Sequence, residues 1–286
     1  MTLAHRWLPG IAAAALLSVA VAVPAPPAAA RHLPGAISAN HPPGYKIVHA
    51  GPFNAPPSAF DSAGSAACPA GTVVWGGGVV FQGASANFTV NTSQPSGSSG
   101  WEARVNNAGA TTVQFAVNAI CANQPAGYKL VSRTVDNPPN TQSHATATCP
   151  APKALLGGGT LSSADEVAGI LTSAWPQSPA KFTGYMFNGT ATDQTLTVLA
   201  ICGHKPVGYK IAANSVPADP GALLSDGIAC PAGTSALSGG AQDPAQVPIV
   251  QVAGSINQGT GGWVIQMNND DGQSAHQVNG YVICAA

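Results

Sequence analysis

The stretch CPAGTVVWGGG at residues 68–78 decides the fold, because the chain contains it three times. The copies are CPAPKALLGGG at 149–159 and CPAGTSALSGG at 230–240, so the three stretches begin at equal intervals. A fixed period of this kind is the sequence signature of a repeat architecture. We therefore predict three tandem modules.

Other features keep the same period. A Gly-Tyr-Lys motif occurs at 44–46, 127–129 and 208–210, and in each module an aromatic residue stands six positions before an asparagine. These pairs are Trp101 and Asn107, Phe182 and Asn188, and Trp263 and Asn269. We place the modules at 42–121, 122–202 and 203–286. Only three residues separate Cys121 from Pro125 and Cys202 from Pro206, so neighbouring modules should touch.

Composition excludes several classes of protein. The 286 residues include 10 Lys and Arg and 11 Asp and Glu, so charged side chains make up 7% of the chain and apolar residues 45%. A nucleic-acid binder needs a strongly basic surface, which this balance does not supply. Small net charge also gives no long-range steering, so a partner must be recognised by short-range contacts. The composition indicates a folded, turn-rich protein with no nucleic-acid partner.

Residues 1–30 are predicted to be a cleaved secretory signal peptide, and residues 31–41 a leader. His5 and Arg6 give the segment a short basic start, an apolar run covers 11–23, and Ala28 to Ala30 are the small residues that a signal peptidase needs. This apolar run is shorter than the roughly 20 residues that a membrane-spanning helix needs. We expect a secreted, extracellular protein with no membrane span after cleavage. An uncleaved membrane anchor is the alternative.

The six cysteines fall into two per module. In an extracellular protein an even cysteine count indicates disulfides rather than a metal site. The repeat favours the pairs Cys68–Cys121, Cys149–Cys202 and Cys230–Cys284, in which the second cysteine follows the first at a nearly constant spacing. Swapped pairing between modules is the alternative.

The apolar pattern before each closing cysteine is that of a half-buried strand. Val113, Phe115, Val117 and Ala119 lie on the same face as Cys121 when side chains alternate, and the other two modules repeat this phase. Glycine, proline and asparagine interrupt the remaining segments. We predict an all-β protein of three antiparallel, sandwich-like modules, each with one disulfide, packed with pseudo-threefold symmetry. A single β-prism is the alternative.

The chain resembles a repeat of secreted proteins from actinomycete-type bacteria. The likeness is carried by residues 68–78, the Trp101-x5-Asn107 strand and the Ala-Ile-Cys ending at 119–121. The likeness covers all three modules, although Ser238 replaces the first glycine of the third triplet. This resemblance implies secretion and a repeated β scaffold but no particular activity. A looser analogy, resting on threefold repetition alone, is with the β-prism of vitelline-membrane outer-layer proteins.

Candidate chemical groups are few, and none is repeated. His144 and His276 have no histidine at the matching positions of the other modules, so any Ser-His-Asp site would be single and asymmetric. The acidic pairs at 165–166 and 270–271 are more typical of solvated loops than of a glycosidase. The cluster at 268–271 offers oxygen ligands for calcium, but the other modules lack an equivalent acidic set. We predict no metal, no cofactor and no catalytic residue.

Trp175 is the candidate binding residue. It lies beside Pro176 in a loop-like stretch, and its counterparts are Gln94 and Ile256, so the repeat does not require an aromatic residue there. The favoured hypothesis is a secreted or surface-associated, non-enzymatic protein that binds a glycan, a cell-wall polymer or a protein through loops. The alternatives are a secreted hydrolase with one asymmetric site, and a secreted inhibitor or structural coat protein.

Overall fold

The computed structural model describes residues 41–83, 87–163 and 169–286. The predicted signal peptide and residues 31–40 of the predicted leader lie outside these ranges. The described residues form 18 strands and no helix, so they contain no helix that could cross a membrane.

Each module contributes six strands. The first module contains β1 (Lys46–Ala55), β2 (Ala59–Ala67), β3 (Val73–Gln82), β4 (Phe88–Pro95), β5 (Gly100–Asn107) and β6 (Val113–Ala122). The second contains β7 (Lys129–Asn137), β8 (Thr141–Thr148), β9 (Ala154–Ser162), β10 (Gly169–Ser178), β11 (Lys181–Asn188) and β12 (Gln194–Gly203). The third contains β13 (Lys210–Ala218), β14 (Leu223–Ala229), β15 (Ser235–Gln242), β16 (Val250–Gln258), β17 (Gly262–Asn269) and β18 (His276–Ala285).

Within the described ranges these strands form three six-stranded antiparallel sheets. Sheet A has the order β1-β6-β3-β16-β17-β14, sheet B the order β2-β5-β4-β9-β12-β7, and sheet C the order β13-β18-β15-β10-β11-β8. Every module therefore gives three strands to one sheet and three to the next. The predicted all-β class and threefold arrangement are confirmed. Because each sheet is shared by two modules, the modules form one closed body rather than three separate sandwiches.

The modules join at the centre of each sheet. The bridging pairs are Val79 with Ser255 in sheet A, Ser93 with Thr160 in sheet B, and Ala174 with Ala241 in sheet C. The central strands β3, β9 and β15 also contact one another, as do β4, β10 and β16. The centre of every sheet therefore lies close to the pseudo-threefold axis.

The glycine triplets allow this close approach. A Cβ on Gly76 would clash with the backbone oxygen of Leu237, and one on Gly157 with that of Trp75. Both would also lie 2.9 or 3.0 Å from the Cβ of Ser238, so the first positions of the three triplets meet near the axis. The second glycines lie under the rings of Trp101, Phe182 and Trp263. The third glycines, Gly78, Gly159 and Gly240, face the backbone of the strand from the neighbouring module. The second and third positions thus exclude a side chain for different steric reasons.

The three predicted disulfides are confirmed, and each joins the two sheets of its module. The Cα–Cα distances are 5.6 Å for Cys68–Cys121, 5.5 Å for Cys149–Cys202 and 5.7 Å for Cys230–Cys284. In each pair the first cysteine follows a strand of one sheet and the second lies in a strand of the next. In the chain-entropy model a loop of this length contributes ~4 kcal/mol to stability.

The repeated aromatic residue and asparagine have structural roles. Trp101 and Trp263 are buried, and their indole N–H groups donate to the hydroxyls of Ser93 and Ser255 at 2.9 and 2.7 Å. Phe182 has no N–H, and its module carries Ala174 at the serine position. Asn107, Asn188 and Asn269 donate through Nδ2 to backbone carbonyls at the ends of two loops. These residues hold the core and the loops together.

The tyrosines of the Gly-Tyr-Lys motifs connect neighbouring modules. Tyr45 donates to the carbonyl of Ala236 at 2.7 Å, Tyr128 to Val74 at 2.8 Å, and Tyr209 to Leu155 at 2.7 Å. The three bonds run in the same cyclic direction around the axis. Burial raises the pKa of each of these tyrosines, because the charged phenolate would be desolvated.

The third glycine of a triplet can be tested by adding one methyl group. In Gly159→Ala the new Cβ would come within 2.7 Å of the Cα of Gln94, so a strand must shift. We expect a loss of about 1–3 kcal/mol in the free energy of unfolding, measured by urea denaturation. Gly272→Ala is the control, since no atom lies within 4 Å of its added Cβ. Equal stability of the two variants would contradict the steric explanation.

The buried tyrosines predict a loss of stability at alkaline pH. A tyrosine in the unfolded chain ionises near pH 10, whereas these three stay neutral above that value in the folded protein. The unfolded state then binds fewer protons, so the free energy of unfolding should fall as pH rises beyond about 10. The triple variant Tyr45→Phe, Tyr128→Phe and Tyr209→Phe should flatten this fall in denaturant titrations at several pH values. An unchanged slope would show that other groups cause it.

Candidate functional site

Trp175 lies within strand β10, so the loop predicted around it from the sequence is wrong. Its neighbour Ala174 points inward and lines a small central cavity of about 20 Å³. Because side chains alternate along a strand, Trp175 points to the outer face of sheet C. Only 5% of its surface is exposed, yet it lies outside the main hydrophobic cluster. The ring is therefore covered on the outer side of the sheet.

Three aromatic rings form a row across this outer face. The ring of Trp175 stacks against Tyr185 of β11, with centroids 5.6 Å apart and an interplanar angle of 20°. Tyr185 stacks in turn against His144 of β8, at 4.8 Å and 14°. We call Trp175, Tyr185 and His144 the aromatic row. Strand pairing fixes it, because Tyr185 lies directly opposite His144 and Trp175 opposite Thr183 on the same face of β11.

Exposure increases along the aromatic row from the centre of the sheet to its edge. Trp175 is buried, Tyr185 is half-buried, and His144 is exposed on the edge strand β8. One face of the His144 ring stacks on Tyr185, and the residue is exposed at the edge of the sheet. The row is therefore a supported platform whose outer end is His144.

The other two sheets carry no such row. The counterparts of Trp175, Tyr185 and His144 are Gln94, Arg104 and Ala63 in sheet B, and Ile256, Gln266 and Ser225 in sheet A. Gln94 and Ile256 are also covered, at 9% and 7% exposure, so the fold buries this position whatever residue occupies it. The aromatic row is therefore not a requirement of the scaffold.

Polar groups surround the row on the same face. The hydroxyls of Thr146 and Thr183 are 2.8 Å apart, and Thr183 donates to Gln177 at 3.2 Å. On the other side of Trp175, across Gly240, Tyr281 donates to Gln242 at 2.8 Å. Desolvation raises the pKa of Tyr281, so it remains a neutral hydroxyl. The face combines flat rings with hydroxyl and amide groups, and the exposed Lys181 lies on the same face of β11 beyond Thr183.

The two histidines weighed as catalytic candidates lie in different settings. His276 contacts Asp271, with Nε2 and Oδ2 3.1 Å apart, whereas His144 stacks on Tyr185. The backbone N–H of Gln273 and then His276 lower the pKa of Asp271. Within the described ranges, no hydrogen bond links either histidine to a serine. Ser274 also bonds to Asp271 through its hydroxyl, so this serine and His276 share one carboxylate and do not form the serine-to-histidine-to-aspartate order of a catalytic triad.

The acidic cluster at 268–271 directs its groups to separate partners. Asn269 donates to Ala218 and Ser274, Asp270 accepts from Gln251, and Asp271 accepts from Gln273. Burial raises the pKa of Asp270, against the effect of its bond to Gln251. The described residues contain no group of three or more His, Cys, Asp or Glu that could hold a metal. The other acidic pair, at 165–166, lies outside the described residues.

No family model matches the chain, and no match was found among curated proteins. The site is therefore assigned from the geometry of the chain itself.

Tyr185 is the residue that sequence reasoning missed. Comparison with the other two modules singles out Tyr185 in the same way as Trp175. The positions that match Tyr185 carry Arg104 and Gln266, so the repeat does not require an aromatic residue there. What the sequence could not show is that Tyr185 contacts both Trp175 and His144. That contact depends on the pairing of β10, β11 and β8.

Replacing Trp175 and Tyr185 separately should show how much each ring contributes to the stability of the fold. Trp175→Ala removes a covered ring and should lower the free energy of unfolding by about 3 kcal/mol. Tyr185→Ala removes a half-buried ring and should cost less, about 1 kcal/mol. Urea denaturation measures both. A Trp175→Ala protein as stable as the natural chain would contradict the structural role given to this ring.

Proposed function

We propose that this chain is a secreted, non-enzymatic binding protein that recognises a glycan of an extracellular polymer through the aromatic row. The observation that carries the proposal is the stacked row on sheet C, which neither of the two equivalent faces repeats. Two of the three equivalent faces fold without an aromatic row, so the scaffold does not need one. Binding of a ligand explains why the third face has it.

The chemistry of the face suits a sugar. The C–H face of a pyranose packs against an aromatic ring, and its hydroxyls need hydrogen-bonding partners. The exposed ring of His144 would supply the stacking surface, and Tyr185 and Trp175 support that ring from behind. Thr146, two residues from His144 along β8, supplies a hydroxyl, whereas Gln142 on the other side donates its amide N–H to the carbonyl of Gln246. With a net charge of −1, the chain has no strong field to attract a charged ligand.

Secretion is supported by two independent features. The sequence begins with a predicted signal peptide, and three disulfides join the sheets. Disulfides persist in oxidising compartments such as the extracellular space. The resemblance to a repeat of secreted bacterial proteins remains a prediction and agrees with this location.

The test is binding to a glycan microarray, followed by a pull-down on the insoluble polysaccharide that gives the strongest signal. Loss of an aromatic anchor typically costs ~2 kcal/mol, so His144→Ala and Tyr185→Ala should each bind roughly thirtyfold more weakly. The matched controls are Ser225→Ala and Gln266→Ala, at the equivalent positions of sheet A. These should bind as the natural chain does.

Two results would contradict the proposal. One is the absence of binding to every glycan on the array, and the other is equal binding by the sheet C variants and their sheet A controls. Release of soluble sugars from the bound polymer would instead identify the secreted hydrolase of the alternative hypothesis.

A further inference from the structure

The first module differs from the others by two extra residues near its beginning. The segment from the motif lysine to the first cysteine runs from 46 to 68 in module 1, but from 129 to 149 in module 2 and from 210 to 230 in module 3. The repeat is otherwise nearly constant in length. The extra residues therefore mark a local change in the first two strands of module 1.

Both extra residues form bulges in edge strands. In β1 the partners pass from Ala50 with Val117 to Phe53 with Phe115, so three steps on β1 face two on β6. In β2 they pass from Ala59 with Asn107 to Ser62 with Val105, again three steps against two on β5. The corresponding strands β7, β13, β8 and β14, all within the described ranges, pair without a shift. Bulges turn side chains in new directions and are frequent beside binding sites.

The two bulges flank a pocket of about 260 Å³. It is lined by Phe53 of β1, by residues 63–65 of β2 and by residues 102–104 of β5. The small side chains of Ala63 and Ser65 point outward and leave room above the sheet. This position on sheet B is equivalent to the place that His144 and Tyr185 occupy on sheet C. One scaffold position thus carries an aromatic row in one sheet and a pocket in another.

The bulge in β2 fixes the charged wall of the pocket. Asp61 adopts a φ of 59°, a conformation that residues other than glycine rarely take. Its Oδ2 accepts from Nη1 of Arg104 at 2.9 Å, and its backbone N–H donates to Asn106 at 3.2 Å. A guanidinium has five N–H donors, so one bond to Asp61 holds it while other donors stay available. The side chain of Arg104 is 41% exposed.

The bulge in β1 supplies the apolar wall. The ring of Phe53 packs against Phe115 at 5.4 Å and against the inner side of Gly64, so it borders the pocket from the side opposite to Ala63 and Ser65. A Cβ at Gly64 would come within 2.7 Å of the Phe53 ring, whereas the counterparts of Gly64 are Ala145 and Asp226. The glycine is therefore matched to the shifted phenylalanine.

Glu102 places a negative charge two residues before Arg104 in the sequence. Glu102 lies on the same outward face of β5 and accepts from Gln94 at 2.5 Å through Oε1. The counterparts of Glu102 are Thr183 and Val264, and those of Arg104 are Tyr185 and Gln266. The pair of opposite charges is therefore specific to this pocket, in a chain of which only 7% is charged.

We infer that the pocket binds an α-amino acid, or a molecule ending in one, with an apolar side chain. Arg104 would take the carboxylate through charge-assisted hydrogen bonds, and Glu102 would take the ammonium group. The methyl group of Ala63 would contact the side chain, and Phe53 would bound it at the inner edge of the pocket. A ligand without a carboxylate would leave Arg104 without a partner, and a ligand without an ammonium group would leave Glu102 without one.

Isothermal titration calorimetry with three matched probes tests this inference. Leucine carries both charges, 4-methylpentanoate lacks the ammonium group, and 3-methylbutylamine lacks the carboxylate. Leucine should bind, and each of the other probes should bind at least ~tenfold more weakly, since each loses a charge-assisted bond. Failure of leucine to bind at concentrations of about 10 mM, or equal binding of either analogue, would overturn the inference.

Variants locate the binding in the pocket. Arg104→Gln and Glu102→Gln should each weaken leucine binding at least ~tenfold, and Ala63→Tyr should block the pocket without removing a charge. Arg133→Gln is the control, because it removes an exposed arginine from β7, far along sheet B. Melting temperatures of all variants show whether each is folded. Leucine binding that survives Ala63→Tyr would place the ligand elsewhere and overturn the inference.

This site is independent of the aromatic row, because the two lie on different sheets. Tyr185→Ala should therefore leave leucine binding unchanged, and Arg104→Gln should leave glycan binding unchanged. Failure of one experiment consequently does not affect the outcome of the other.

Discussion

The structure depends on direct contact between the backbones of three sheets near one axis. Side chains normally keep packed sheets about 10 Å apart. Here the glycine triplets remove nearly all side chains at the points of contact, so the central strands of all three sheets meet. This contact brings one strand from each module close enough to pair with a strand of its neighbour. Sharing of sheets between modules follows from it.

Other interactions reinforce this arrangement at increasing distance from the axis. The rings over the second glycines fill the space that the triplets leave, and the Gly-Tyr-Lys tyrosines connect each module to the next. The disulfides then join the two sheets of each module. A module isolated from its neighbours would lose three of these features at once. Its central strands would have unpaired edges, its tyrosine would lose its acceptor, and its glycines would face water.

Features that repeat along the chain could be predicted, because they depend on spacing and alternation. The disulfide pairs, the strands before the closing cysteines and the β class belong to this group. The sharing of sheets could not be predicted, because each junction rests on a single bridge such as Ala174 with Ala241. The loop predicted at Trp175 is wrong because the neighbouring Pro176 suggests a break, whereas β10 continues through both residues. The two extra residues in module 1 are visible as spacing, but only strand pairing shows that they are bulges.

The pseudo-threefold scaffold also separates stability from recognition. The contacts near the axis occur three times, whereas the outer positions at 63, 144 and 225 differ in each sheet. A substitution at one outer position leaves its two counterparts unaltered, so each face can change its chemistry alone. The faces could also be made alike, because the outer positions do not affect the contacts near the axis. Placing histidine, tyrosine and tryptophan at the counterpart positions would create two or three identical faces, and simultaneous engagement of one polymer by several faces would raise avidity without improving any single contact.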